Sequence, residues 1–301
     1  MTGLEQVLNA AADIGCRAEK DVQMKDYTSF RIGGPADLLV RPSTINQAFR
    51  IFSLCRETGC ASFILGKGSN LLVSDEGFRG IVIYTGDLQG MSFDGDSMVE
   101  CAAGTSLSAV CRFALEHSLE GLEFAYGIPG SAGGAAYMNA GAYGGEMKDV
   151  LSSCAHIDSL SGFGQLNGDE LQLGYRSSAY CRNGFMITTL SLRLNKGHKR
   201  SIKAKMDELM RKRSEKQPLQ LPSAGSVFKR PEGYFAGALI EECGLKGKRI
   251  GGAMVSEKHA GFIVNMGGAT SADVRGLIAL ITETVYKETG IAMETEIKLV
   301  G

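Results

Sequence analysis

The sequence predicts an α+β protein of two domains, and three observations carry that expectation. Short apolar runs that alternate with polar residues recur between segments of helical spacing, so strands and helices are interleaved along the chain. The composition changes near residue 196, where the basic stretch NKGHKRSIKAKMDELMRKRSEKQP begins. Two glycine-rich stretches, GKGSN at 66–70 and GLEFAYGIPGSAGGAAYMNAGAYGGE at 121–146, both fall before that change. A chain of 301 residues can bury two cores without help from metals or disulfides.

Leu4, Val7, Leu8, Ala11 and Ile14 recur at helical spacing and predict an opening amphipathic helix within a helical N-terminal segment, 1–26. The expected first domain, 27–195, begins with YTSFRIGGPADLLVRP, a Gly-Gly-Pro turn followed by an apolar strand that ends at Pro42. Ser43 and Thr44 then introduce a helix with Ile45, Ala48, Phe49, Phe52 and Cys55 on one face and Gly59 as its stop. SFILGKGSNLLVSDEGFRGIVI reads as strand, tight loop, strand, hairpin-like turn near Glu76 and Gly77, and strand. Residues 98–103 form a strand and 107–115 a helix that leads into the long glycine stretch. VLSSCAHIDS and FMITTLSLRLN alternate as strands do, separated by the turn-rich LSGFGQLNGDE.

The expected second domain, 196–301, opens with the basic helix, whose apolar face holds Ile202, Met206, Leu209 and Met210. There follow the loop LPSAGSVFKRPEGY, the helix FAGALIEECG stopped by Gly244, the strand GFIVN, a long helix over 273–289 and a final strand over 293–300. In that strand Met293, Thr295, Ile297 and Leu299 share one face, and Glu294, Glu296 and Lys298 the other.

Bulk properties exclude several classes of function. Lys plus Arg is 32 and Asp plus Glu is 33, so no net charge draws the protein to nucleic acid or an anionic membrane. The eight cysteines form no C-x-x-C pair and most sit in apolar runs, as free thiols do in the reducing cytosol. The N-terminus lacks a basic segment followed by an apolar core, and no window approaches the ~20 apolar residues of a membrane span. No His or Cys cluster has metal-ligand spacing, so no metal site is expected. These observations predict a cytoplasmic protein without membrane insertion.

Glycine-rich main chain bends freely and exposes its N–H groups, which makes a trap for a diphosphate. Phe124, Ile128, Pro129, Tyr137, Met138 and Tyr143 argue that the long stretch packs rather than hanging as a linker. Two such loops in one domain suggest a long dinucleotide held at two places. Neither has the spacing of a Walker or a Rossmann phosphate loop. Three further side chains are candidates: Arg176 in GYRSS, which reads equally as a solvated surface arginine, Ser226 in AGSVFKRP, presented from an ordered loop, and Glu296, which by spacing alone belongs to the polar face of an ordinary half-buried strand. Ser226 lacks a G-x-S-x-G elbow and no histidine is tied to it, so a serine hydrolase is not expected.

Taken in order, TSFRIGG (28–34), ILGKGSNLLVSDEGFRG (64–80), the 121–146 stretch, GYRSS (174–178), KQP (216–218), AGSVFKRP (224–231) and ETEIKLVG (294–301) resemble the UDP-N-acetylenolpyruvoylglucosamine reductase (MurB) family. The resemblance spans most of the chain. It implies an FAD-binding domain of the vanillyl-alcohol-oxidase (PCMH) type followed by a smaller α/β substrate domain. FAD would lie against Gly66, Lys67, Gly68, Ser69, Asn70 and Leu71, and against Gly127, Ile128, Pro129, Gly130, Ser131, Gly133 and Gly134. Asn139, Ala140, Gly141 and Arg176 would line the flavin. In the implied reaction NADPH reduces FAD and leaves. The enolpyruvyl ether of UDP-N-acetylglucosamine then takes hydride from flavin N5 and becomes UDP-N-acetylmuramate.

The family's catalytic trio maps onto Arg176, Ser226 and Glu296. Arg176 would hold the enolate formed by hydride delivery, Glu296 would complete that clamp as a hydrogen-bonding acid, and Ser226 would give its proton to the carbon bearing the ether. Tyr175, Lys216, Arg230 and His259 would meet the substrate. Residues 175–195 leave no room for the tyrosine-bearing insertion of the family's longer form, so the chain resembles the shorter type II form. A monomer acting on small molecules is expected. One rival is an FAD oxidoreductase of the same fold with another substrate, which should lack Ser226 and Glu296 together. The other is a flavin-binding module with a decayed site, whose flavin would not react.

Overall fold

A computed structural model describes residues 2–301, and Met1, where the expected N-terminal segment begins, lies outside the described residues. Contacts divide the chain into two units. The first takes the chain to Lys20, Leu38–Lys67 and Gly80–Arg213; the second takes Asp21–Asp37, Gly68–Arg79 and Ser214–Gly301. The sequence suggested one cut before residue 196, whereas hydrophobic packing draws the division differently. Phe30, Ile32 and Leu72 pack in the core of the second unit. Ile202 and Met206 of the basic helix Lys199–Lys216 pack in that of the first.

In the first unit, Thr2 and Glu5 form a reciprocal capping box that starts the helix Gly3–Asp13. The expected helical segment ends there, because Arg17–Gln23 is a strand. Its charged sequence, RAEKDVQ, leaves most side chains exposed and gives no apolar period to read. It edges a four-stranded sheet of order Arg17–Gln23, Pro35–Arg41, Phe78–Tyr84, Ser62–Leu65. Thr44 caps the helix Ile45–Glu57, and Gly59 follows it at φ +65°. Ala48, Ile51 and Cys55 of that helix share a core with Leu38, Val40, Ile81 and Ile83 of the sheet.

A second, five-stranded antiparallel sheet has the order Gly162–Asn167, Leu151–Asp158, Met186–Arg193, Met98–Ala102, Met91–Phe93. The stretch read as turns thus holds a strand, Gly162–Asn167, largely exposed at the sheet edge. Helices Leu107–Glu116 and Ala132–Tyr137 contribute Leu107, Val110, Ala132 and Ala136 to the core that includes Val99, Cys101, Leu190 and Leu192.

The second unit is built on the long helix Ser271–Thr289, which Thr270 caps and Asp75 anchors. The Asp75 carboxylate accepts the N–H groups of Ser271 (2.7 Å) and Ala272 (3.0 Å), a favourable place for negative charge. A three-stranded antiparallel sheet of Arg249–Ile250, Ala253–Val255 and Ile263–Asn265 shares the core with Val274, Leu277 and Ile281 of this helix. Leu71–Val73 does not form a hairpin with the next strand; it pairs in parallel with Lys298–Val300. That strand is shorter than the expected 293–300. Met293 and Ile297 are buried, but Leu299 is 52% exposed, so the expected alternation stops before the strand begins.

Gly77 shows how tightly the turn after Leu71–Val73 is drawn. It has φ +81°, and a Cβ there would lie 1.8 Å from the Pro35 carbonyl oxygen. In chemical denaturation Gly77→Ala is expected to cost about 3 kcal/mol or more, from strain plus overlap with main chain. Gly59→Ala, with φ +65° but open space around it, is expected to cost only about 1 kcal/mol. Equal losses would show that the overlap at Pro35 is relieved without cost.

Candidate active site

In the first unit the long glycine stretch is ordered structure rather than a bare loop. It contains the helix Ala132–Tyr137 and a tight hairpin of Gly141–Ala142 with Gly145–Glu146. Ser131 caps the helix by accepting the Gly134 N–H at 3.3 Å. Gly66, from the other glycine stretch, packs on this cap: a Cβ at Gly66 would stand 2.5 Å from Ser131 Oγ. The two stretches singled out in the sequence therefore meet.

Several of these glycines serve packing within the protein. A Cβ at Gly133 would meet Ala103 at 2.8 Å, and one at Gly127 would meet the Arg213 side chain at 2.9 Å. Main-chain donors are also committed. Ile128 donates to Ala125 O (2.9 Å), Ala132 to Thr105 O (2.8 Å) and Gly133 to Ala103 O (2.8 Å).

Arg176 sits at φ +51° in a turn closed by hydrogen bonds between Gly174 and Ser177. Its Nη2 donates to Gly141 O at 3.2 Å, and its guanidinium lies 5.1 Å from the centre of the Tyr175 ring. Tyr175 itself is 52% exposed. Asn139, expected to line the flavin, has φ +42° and is fully buried. Its side chain is engaged by Glu146, Gly174 and Lys148. Nothing in the sequence singled out Glu146; its one signal is a lone carboxylate closing a glycine run.

In the second unit, Ser226 and Glu296 lie on adjoining segments. Val227 N–H donates to Gly261 O (2.8 Å), and Glu296 N–H donates to Val227 O (2.7 Å). Ser226 also bridges Phe262, and Phe228 bridges Thr295. Segment 226–228 is thereby held on both sides, and Ser226 Oγ donates to Phe228 O at 3.2 Å. Asn70 reaches the same place, its Nδ2 donating to Glu296 O at 3.3 Å and its carbonyl accepting Lys298 N–H at 2.9 Å. Gly68, at φ +60°, presses on Tyr27, where a Cβ would lie 2.2 Å from the carbonyl oxygen.

His259 is half-buried, and burial holds its pKa below the usual value. Its Nδ1 accepts the Gly261 N–H at 3.1 Å, so the neutral ring carries its proton on Nε2. Arg230 is exposed, with its guanidinium 3.9 Å from the Phe235 ring centre and Nε donating to Tyr234 O at 3.2 Å. Lys216, at the end of the basic helix, is also exposed. The expected trio is thus distributed, Arg176 in the first unit and Ser226 with Glu296 in the second. Asn265, which the sequence reading passed over, donates to Phe30 O (3.1 Å) and Arg31 O (3.3 Å) and fixes the TSFRIGG turn.

Among the described residues no group of His, Cys, Asp and Glu could hold a metal ion, and no helix is long and apolar enough to cross a membrane. The cysteines are free; burial pushes the Cys55, Cys101 and Cys111 thiols up to about 12, which suppresses their reactivity.

Two families of known proteins match successive parts of the chain. Residues 36–162 match a family described as an FAD binding domain. Residues 217–300 match the C-terminal domain of UDP-N-acetylenolpyruvoylglucosamine reductase. The enzyme of that name from Clostridium novyi (strain NT) is 46% identical over 283 residues, covering 94% of this chain and 92% of the relative. Its counterpart from Clostridium perfringens (strain SM101 / Type A) is 48% identical over 281 residues, covering 93% and 92%. The crystal structure of the reductase from Thermus caldophilus superposes with a TM-score of 0.81 at 38% identity, over 95% of this chain and all of that one (100%).

Proposed function

Because the chain belongs to the UDP-N-acetylenolpyruvoylglucosamine reductase family, we propose that it reduces the enolpyruvyl ether of UDP-N-acetylglucosamine to UDP-N-acetylmuramate through Arg176, Ser226 and Glu296. FAD is the cofactor and NADPH the co-substrate. The observation that carries the reading is the pairing of Ser226 and Glu296 through Val227, a proton donor and an acid on adjoining rigid segments. The residues present suit FAD as well. Gly66 meets the Ser131 cap, and two glycine-rich segments can present main-chain N–H groups to a diphosphate. Since Ile128, Ala132 and Gly133 already donate within the fold, Gly127, Gly130 and Ser131 are the donors of that stretch we assign to it.

When bound, FAD would supply hydride chemistry at the terminal vinyl carbon, with NADPH as the source of reducing equivalents. The adjacent carbon, conjugated with its carboxylate, would then carry enolate charge, two negative charges in all, for the protein to hold. Arg176 offers a permanent cation with planar donors that match a carboxylate, and its turn holds the guanidinium beside Tyr175. Glu296, in its protonated form, donates a hydrogen bond to the same oxygens. Ser226 gives its hydroxyl proton to the ether-bearing carbon, completing the new C–H bond and leaving a serine oxyanion to be reprotonated from solvent. Lys216 and Arg230, both exposed cations, meet the diphosphate; Tyr175 and His259 line the substrate.

The protein acts in this reading as a cytoplasmic monomer on two small molecules. Its unpaired, largely buried thiols support a reducing compartment. The test is stopped-flow absorbance of the purified holoprotein without oxygen. NADPH should bleach the flavin band, and the enolpyruvyl substrate should then restore it rapidly. Bleaching without restoration would assign the chain to another FAD-dependent reduction, and absence of flavin after FAD addition would remove the reading altogether.

A further inference from the structure

We propose that buried Asn139 and half-buried Glu146 form a pair that positions the turn carrying Arg176, and so sets where the guanidinium meets the substrate. The inference rests on the catalytic reading of Arg176 given above. Asn139 is fully buried at φ +42°, a left-handed conformation that asparagine tolerates better than most residues. Both faces of its amide are used. Nδ2 donates to Glu146 Oε2 at 2.7 Å and to the Gly174 carbonyl at 2.9 Å, while Oδ1 accepts the Lys148 N–H at 2.8 Å.

Gly174 precedes Arg176 by two residues, and its carbonyl also receives the Ser177 N–H that closes the turn. Arg176 in turn donates from Nη2 to Gly141 O, two residues beyond Asn139. The arginine turn and the hairpin are therefore tied twice, once through the main chain before Arg176 and once through its side chain. Glu146 is itself fixed: Oε1 pairs with the Lys148 ammonium, and the carboxylate accepts the Asp149 N–H. Both atoms that face Nδ2 are acceptors, so only a neutral group with two hydrogens to give satisfies them together. The burial raises the cost of any mismatch.

Asn139→Asp makes this sharp, because it replaces the donor by an acceptor facing Glu146 Oε2 and Gly174 O. Ionised, Asp at 139 repels Glu146 and releases the turn. With one proton shared between the two carboxyls, a single donor contact returns. In stopped-flow on the holoenzyme at pH 8, reoxidation by the enolpyruvyl substrate is expected to slow about ten-fold more than flavin reduction by NADPH does. Relative to wild type at the same pH, that deficit should shrink at pH 6, because protonation restores the donor. Asn139→Gly, which suits the left-handed backbone but removes the amide, should be slow in reoxidation at both pH values; it also carries the test if the Asp variant does not fold.

Wild-type reoxidation in both variants overturns the proposal, as does a parallel fall in FAD content and both half-reactions, which would mark a general loss of structure. An Asn139→Asp deficit that does not change with pH also overturns it. Arg176→Ala serves as the reference. If it is slow and the Asn139 variants are not, only the positioning role falls. If Arg176→Ala reoxidises normally, the catalytic reading of Arg176 falls and the positioning role with it.

Discussion

Ser226→Ala is expected to leave flavin reduction by NADPH at the wild-type rate and to slow reoxidation by the enolpyruvyl substrate by a factor on the order of 10³. The reason lies in which step needs the hydroxyl. Reduction by NADPH moves a hydride and asks nothing of Ser226, whereas the second half-reaction stalls unless the ether-bearing carbon is protonated. The main chain at this position is secured independently, by Val227 N–H on Gly261 O and Glu296 N–H on Val227 O. The hydroxyl adds one hydrogen bond, to Phe228 O at 3.2 Å. Its loss should cost about 1 kcal/mol of stability or less, so activity and folding separate cleanly. Turnover near the wild-type rate would give the proton-donor role to another group.

Arg176→Ala is expected to produce a comparable loss, about 10³-fold in reoxidation, by leaving the dianionic intermediate without its counter-charge. Alanine at φ +51° is no more strained than arginine there, so the turn closed by Gly174 and Ser177 should persist. Arg176→Lys separates charge from shape. Lysine keeps the positive charge but not the planar pair of donors, and is expected to recover only about ten-fold of the loss. The measurements are single-turnover reoxidation rates and the substrate Kd by flavin difference spectra. Recovery to within about three-fold of wild type by lysine would mean that charge alone suffices.

The sequence disclosed most where local chemistry decides structure. Thr44 announces a helix start by its position ahead of an apolar period, and it caps in the structure; the long helix, expected from 273, begins at Ser271 behind the Thr270 cap. The two glycine stretches were visible as special, but not the use of each glycine. That Gly127 and Gly133 are bare because Arg213 and Ala103 crowd them depends on residues distant in the chain. Strands without an apolar face were lost: Arg17–Gln23 is charged and Gly162–Asn167 is polar and exposed, so period-two reading had nothing to grip. The hairpin expected at Gly77 failed because pairing partners are chosen over long range; Leu71–Val73 takes Lys298–Val300 instead.

By spacing alone Arg176 reads as well as a surface arginine and Glu296 as the polar face of an ordinary strand, with Ser226 on an ordered loop; the roles of all three came from family resemblance. Asn139 illustrates the limit most plainly. The resemblance implied contact with the flavin, while its partners, Glu146 and Gly174, became evident only once the chain was folded.

The second unit is assembled from three stretches of the chain that are synthesised far apart in time. Its core joins Phe30, Ile32 and Leu72 to residues beyond 223, and its parallel strand pair joins Leu71–Val73 to Lys298–Val300, with Ser74 N–H bonded to Val300 O at 2.8 Å. As the chain leaves the ribosome, its early contributions wait for partners more than 150 residues later, so loop closure at this scale makes the unit's folding late and slow. The same wiring means that a fragment cut to the 217–300 match would lack three of its own core side chains. The piece that looks separable by sequence is therefore incomplete as a folding unit.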